Sequence, residues 1–86
     1  MYFVYILKSQ KERTYYIGQT ENIENRVNEH NRGKSAYTRR KAPWDLVHVE
    51  EFDTRSEAMK REHEIKKQKS RKYIETLIHN HLHENT

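Results

Sequence analysis

Six consecutive residues near the start of the chain, Tyr2-Phe3-Val4-Tyr5-Ile6-Leu7, are aromatic or aliphatic, and the run has no polar position with which to face water. Side chains of this kind favour extended backbone, in which alternate positions point to opposite faces. Val4 and Ile6 then share one face and Phe3, Tyr5 and Leu7 the other, so a strand over Tyr2 to Lys8 must be buried on both. That requirement is severe in a chain of 86 residues, because one this short buries only about 60% of the surface its unfolded form exposes. Hydrophobic residues make up 33% and charged residues 35%, so little apolar material is left for the rest of the core. With no cysteine, neither a disulfide framework nor a Cys-based zinc site can supplement it.

The remaining elements follow from spacing and caps. The polar stretch Ser9 to Arg13 separates the first strand from a second, Thr14 to Gln19, close enough for an antiparallel hairpin, and Gly18 is expected to end that second strand. Thr20 or Asn22 can cap a helix with Ile23 and Val27 one turn apart, and Arg26 and His30 lie one turn apart on an adjoining stripe. Asn31-Arg32-Gly33 should end that helix, since Asn and Gly tolerate the left-handed backbone that follows a last turn. A basic loop, Lys34 to Lys41, leads to Pro43, which blocks helix continuation, and Trp44 to Phe52 reads as a third strand of mixed burial. Thr54-Arg55-Ser56-Glu57 fits a capping box for a helix from about Ser56 to about Lys67, and Ser70 can cap a last helix carrying Tyr73, Ile74, Leu77 and Ile78. The expected fold is α+β: a small three-stranded antiparallel sheet flanked by helices, in the order β-β-α-β-α-α. A single domain over residues 1–78 is expected, with 79–86 as a frayed tail whose His79, His81 and His83 lack a scaffold for a metal.

Charge permits a polyanionic partner. Seventeen Lys and Arg stand against thirteen Asp and Glu, and residues 60–72 hold Lys60, Arg61, Lys66, Lys67, Lys69, Arg71 and Lys72 against Glu62 and Glu64 alone. This is either a solvated helix face or a phosphate-binding surface. Met1 to Leu7 is far shorter than the ~20 residues needed to span a bilayer and has no basic leader or cleavage site, so a cytoplasmic location without membrane contact is expected.

Two neighbouring strands that each carry a tyrosine, Val4-Tyr5-Ile6 and Tyr15-Tyr16-Ile17-Gly18, are ordinary in a sheet when read alone. Followed by a helix bearing Arg26 and His30, they resemble the opening motif of the GIY-YIG nuclease superfamily. Tyr16-Ile17-Gly18 matches its second half; Phe3-Val4-Tyr5 matches the first, with Phe3 at the glycine position and Val4 at the isoleucine position. Asn22-Ile23-Glu24-Asn25-Arg26-Val27 resembles the arginine-bearing helix, and Glu57-Ala58-Met59-Lys60-Arg61-Glu62 the glutamate-bearing one. The match runs from residue 2 to about 72 and is similar to the small stand-alone bacterial members. More distantly the chain resembles the N-terminal domain of the bacterial excision-repair incision subunit, from which Gln19 departs, since those relatives have lysine there.

The resemblance implies a divalent-metal-dependent endonuclease that hydrolyses DNA phosphodiester bonds, structure-specific and related to repair or recombination; the alternative is a nucleic-acid-binding module of the same fold that has lost turnover. It implies that Glu62 binds one magnesium or manganese ion, that Arg26 clamps the phosphate, that Tyr5 and Tyr16 position or deprotonate the attacking water, and that His30 takes part in proton transfer. Helical spacing sets Glu62 with Ala58 and Ile65, so its carboxylate should be partly shielded and without a partner. DNA would be held by its backbone through Lys34, Tyr37, Arg39, Arg40 and Lys41 of the loop, and Lys66, Lys67, Lys69, Arg71 and Lys72 of the second basic run. No part of the chain looks like a separate recognition domain, so a protein partner could supply target choice.

Overall fold

The structure, a computed structural model, describes residues 1–84. Strand β1 (Tyr2–Ser9) is followed by β2 (Tyr15–Thr20), helices α1 (Ile23–Asn31) and α2 (Ala36–Arg39), strand β3 (Trp44–Phe52), and helices α3 (Arg55–Gln68) and α4 (Arg71–Glu84). The three strands form one antiparallel sheet in the order β2-β1-β3. β1 therefore lies in the middle, and Val4, Tyr5, Ile6 and Leu7 are each no more than 1% exposed.

Two half-cores meet at β1. On one face Val4 packs with Ala58 and Ile65 of α3 and with Ile17, Ile74 and Leu77. On the other, Tyr5, Leu7 and Trp44 pack with Tyr16 and with Ile23 and Val27 of α1. Burying an aliphatic side chain of this size stabilises the fold by roughly 1.5–3 kcal/mol, so β1 anchors both layers at once. The pairing shifts by one residue between Ile6 and Leu7 on the β3 side. On the β2 side it places Tyr5 opposite Gly18 and Leu7 opposite Tyr16, which brings both tyrosines to the α1 face.

The caps form as the sequence predicts. Asn22 accepts from the Asn25 amide at 3.0 Å, Thr54 and Glu57 close a reciprocal capping box, and Ser70 Oγ accepts from the Tyr73 amide at 3.1 Å. Lys69, in the left-handed region with φ 48°, ends α3, and Gly33 with φ 81° follows α1.

Three expectations change. β2 does not end at Gly18 but stays paired with β1 through Thr20, Gly18 lying opposite Tyr5 inside the strand. The basic stretch Lys34 to Lys41 is not wholly a loop, because residues 36–39 form the short helix α2. Of the expected tail, residues 79–84 continue α4, whose Ile78, His81 and Leu82 lie along Leu46, Val47 and His48 of β3; residues 85 and 86 lie outside the described residues. Among the described residues no helix is long and apolar enough to cross a membrane.

α3 is also fixed by an ionic clamp. Arg61 donates to both oxygens of Glu50 on β3, at 2.7 and 3.1 Å, and to the Tyr73 hydroxyl at 3.2 Å. His48, buried in the same strand, reaches Glu50 at 2.8 Å. Burial alone would raise the Glu50 pKa, but the His48 and Arg61 hydrogen bonds outweigh it and hold the carboxyl down at about 2.

Gly18 leaves the room that Tyr5 occupies. A Cβ there would lie 2.6 Å from the Tyr5 hydroxyl oxygen and 3.1 Å from the Tyr16 ring, and Tyr5 is walled in. G18A should therefore cost about 1–3 kcal/mol in urea unfolding. A variant as stable as wild type would mean that the Tyr5 ring can shift freely.

Candidate active site

The α1 face of the hairpin gathers four of the five residues singled out from the sequence. Tyr5 comes from β1, Tyr16 from β2, and Arg26 and His30 from α1, whose entry is set by the Asn22 cap and whose apolar stripe, Ile23 and Val27, seats it on the sheet. The Tyr5 and Tyr16 rings are 6.2 Å apart between centroids, and the His30 ring lies 4.7 Å from Tyr16.

A directed hydrogen-bond chain runs through the middle. Tyr5 Oη and His30 Nε2 are 3.0 Å apart, and His30 Nδ1 is 2.9 Å from Thr38 Oγ1. The polarity follows from Thr38: its hydroxyl has the Ser35 carbonyl to donate to, so His30 Nδ1 carries the imidazole proton and the Tyr5 hydroxyl donates to the bare Nε2. His30 Nδ1–H then donates to Thr38 Oγ1, whose own hydroxyl donates to the Ser35 carbonyl at 3.5 Å. Burial, followed by the charge of Arg26, lowers the His30 pKa and keeps the imidazole neutral. Burial likewise pushes the Tyr5 phenol up to about 12, with Arg26 opposing it and the charges of Tyr16 and Glu62 adding to it. Tyr5 is thus a protonated donor at neutral pH.

Thr38 escaped the sequence reading. It is fully buried in α2, and its carbonyl accepts from Trp44 Nε1 at 2.9 Å; Asn31 in turn accepts from the Trp44 amide at 2.6 Å. A buried histidine bonded through one nitrogen needs a partner for the other, but nothing in the run Lys34 to Lys41 distinguishes its one threonine from a solvated one.

Arg26 is one-third exposed and pairs with Glu29 at 3.1 Å, which aims the guanidinium rather than neutralising the site. Glu62 lies on α3. Its side chain is 19% exposed, as the helical spacing predicts, and its charge acts on Tyr5. The expectation of an unpaired carboxylate is overturned: Lys66 Nζ donates to Glu62 Oε2 at 2.6 Å. That lysine, one turn on, is the natural partner of a glutamate at the i,i+4 spacing.

The expected nucleic-acid residues divide into two patches. Tyr37 is 55% exposed, its ring 6.1 Å from Tyr16 and capped by Lys41 Nζ at 4.5 Å, with Lys34, Arg39 and Arg40 exposed around it. Lys66, Lys67, Lys69, Arg71 and Lys72 are exposed at the junction of α3 and α4. Arg61 belongs to neither patch, being taken up by Glu50.

Fold and site together define a GIY-YIG domain, and comparison with known proteins agrees. The model of the GIY-YIG catalytic domain matches residues 1–74, and the chain belongs to that nuclease family. It is similar to a UPF0213 protein of Natronomonas pharaonis, 53% identical over 66 residues and 76% of each chain. A UPF0213 protein of Halobacterium salinarum is 47% identical over 79 residues, 91% of this chain and all of that one. Among solved structures it resembles the UPF0213 protein of Bacillus halodurans, determined in solution by NMR, with a TM-score of 0.55 and 36% identity over 91% of this chain and 83% of that one.

The lowered His30 pKa makes stability depend on pH. The unfolded chain, with its histidine near 6.5, takes up the proton before the folded one does. This contribution is complete above that value and is lost as the pH falls from it towards the folded pKa. Urea midpoints measured from about pH 8 down to 5 should fall for wild type, and less for H30Q. An identical slope in H30Q would remove His30 as the source.

Proposed function

We propose that the protein is a divalent-metal-dependent endonuclease acting on the phosphodiester backbone of DNA. The supporting observation is convergence: two phenols, a guanidinium and a neutral imidazole from three separate elements gather on one face of the hairpin, with the charge of the shielded Glu62 carboxylate on α3 reaching Tyr5. Core packing requires neither the Arg26 guanidinium nor the Tyr16 hydroxyl there.

The chemistry assigns each a task. Arg26, steered by Glu29 and part-exposed, binds the scissile phosphate and stabilises the charge that grows on it. Tyr16 is the more accessible of the two phenols, since Tyr5 is 1% exposed, and its hydroxyl orients the attacking water. Tyr5, bonded to His30, is a positioning residue that fixes the imidazole and the Tyr16 wall. Among the described residues no three histidine or acidic side chains cluster as a closed metal site. A single shielded carboxylate whose charge reaches Tyr5 nevertheless suits one hydrated magnesium or manganese ion, which keeps most of its waters and takes its other ligands from the substrate. Glu62 would hold such an ion, which would neutralise the leaving oxygen; Lys66 must first release the carboxylate.

The Lys66–Glu62 pair is also the observation that favours a second reading, a binding module with the same cationic face and no turnover. One assay separates them: flap, splayed-arm, junction and plain duplex DNA incubated with magnesium, with manganese and with chelator. Cutting that needs the metal supports the nuclease; tight binding with no cutting on any substrate supports the module.

R26A and E62Q should each lower the cleavage rate by about 10²–10³ while leaving the thermal midpoint within a few degrees. R26A cutting as fast as wild type would remove Arg26 from the site. Y16F should lose rate with little loss of stability, whereas Y5F should lose about 1–3 kcal/mol of stability by orphaning His30 Nε2. The reverse pattern would exchange the roles of the two tyrosines.

A further inference from the structure

Beside the active site a groove of about 370 Å³ runs along the β2 edge of the sheet to the α3–α4 junction. Its floor is apolar, made by Ile17, Ile65 and Ile74 with the ring of Tyr15. Its rim is cationic, with Arg13, Lys66, Lys69 and Arg71. Arg71 is committed to the protein: its guanidinium lies 4.9 Å from the Tyr15 ring centre, pairs with Glu75 at 3.2 Å and donates to the Arg13 carbonyl. Among the described residues no acidic group pairs with Arg13 or Lys69, so two free cations flank an apolar slot.

The groove is continuous with the catalytic face through two residues. Lys66 in its rim holds Glu62 at 2.6 Å, and Tyr37 at its end lies 6.1 Å from Tyr16. A strand engaged at the site can therefore pass from Tyr16 over Tyr37 into the groove. We propose that the groove is a subsite for one unstacked nucleobase of the strand being cut, with Arg13 and Lys69 on the adjoining phosphates. The substrate is then a strand with unpaired nucleotides, such as a flap or a splayed arm, in preference to continuous duplex. This deepens the nuclease reading and rests on it for the identity of the ligand.

The chemistry is matched on three counts. A flat heterocycle gains from contact with an apolar and aromatic floor whatever its edge pattern. The floor has few groups able to read that edge, so recognition is of a free base and not of a sequence. A base in an intact duplex is stacked and cannot enter without the cost of extrusion.

The test is binding by the full chain in chelator, followed by fluorescence anisotropy, so that no cutting intervenes. Four ligands are compared at each of several salt concentrations: a short oligothymidylate, a duplex of the same length, the same strand with every nucleotide abasic, and thymidine monophosphate as a competitor. The single strand should bind tighter than the duplex, and loss of all bases should weaken it on the order of tenfold or more although the phosphates are unchanged. I74W, which fills the slot from α4, should erase the difference between the normal and abasic strands. The double variant R13Q/K69N should weaken all three polymers and flatten the salt dependence by about 1.4 in slope for single strands.

Equal affinity of wild type for the normal and abasic strands overturns the subsite, whatever the variants do. Displacement of the strand by equimolar thymidine monophosphate overturns it as well, since the groove would then be a mononucleotide site. Metal-dependent cutting by a base-blind protein discards the groove and keeps the nuclease. Base discrimination without cutting does the opposite.

Discussion

The fold depends on hiding one strand completely. β1 contributes four successive side chains that are essentially removed from solvent, and no two-layer arrangement does that for neighbours pointing in opposite directions. The sheet must therefore be covered on both sides, which a short chain can do only with helices set against each face. This division also separates two kinds of chemistry. The α3 face is closed by aliphatic packing and the Arg61–Glu50–His48 clamp, while the α1 face carries the phenols and the imidazole.

The site inherits its geometry from that arrangement. Tyr5 is at once a core residue and a site residue, held by Gly18 on one side and by His30 on the other. Its burial raises the cost of ionising the phenol, and the same burial keeps His30 neutral, so donor and acceptor are fixed without any change in protonation near neutral pH. The more exposed partners, Arg26 and Tyr16, face outward from this rigid base. A scaffold of this kind holds reacting groups in place before any ligand arrives.

Much of this was legible in the sequence because it rests on local rules. The three strands, the Asn22 and Ser70 caps, the Thr54–Glu57 box and the shared side of Arg26 and His30 follow from alternation, capping chemistry and helical spacing. What escaped depends on contacts between distant segments. α2 has only four residues, too few for propensity to announce, and is tied down by the bond from Trp44 to the Thr38 carbonyl. The last turn of α4 is polar apart from Leu82 and forms along β3, with the His81 ring 5.0 Å from that of His48. The charge count over residues 60–72 was right, yet it could not tell that Arg61 turns inward to Glu50 or that Lys66 is spent on Glu62.

The Arg61–Glu50 pair has a mechanical side. Arg61 and Glu62 are neighbours on α3, about 100° apart around its axis, and Arg61 is keyed by two bonds into the middle of β3. A key at one bearing fixes every other bearing on the same shaft. Rotation of α3 by about 20° would swing the Glu62 carboxylate by more than ~1 Å, which in the proposed nuclease would cost about two orders of magnitude in rate. Because Glu50 stays ionised down to a pH of about 2, the key does not loosen within the range in which cells live. Glu50 on β3 thus sets, through Arg61, the azimuth of a carboxylate on α3 to which it is not bonded.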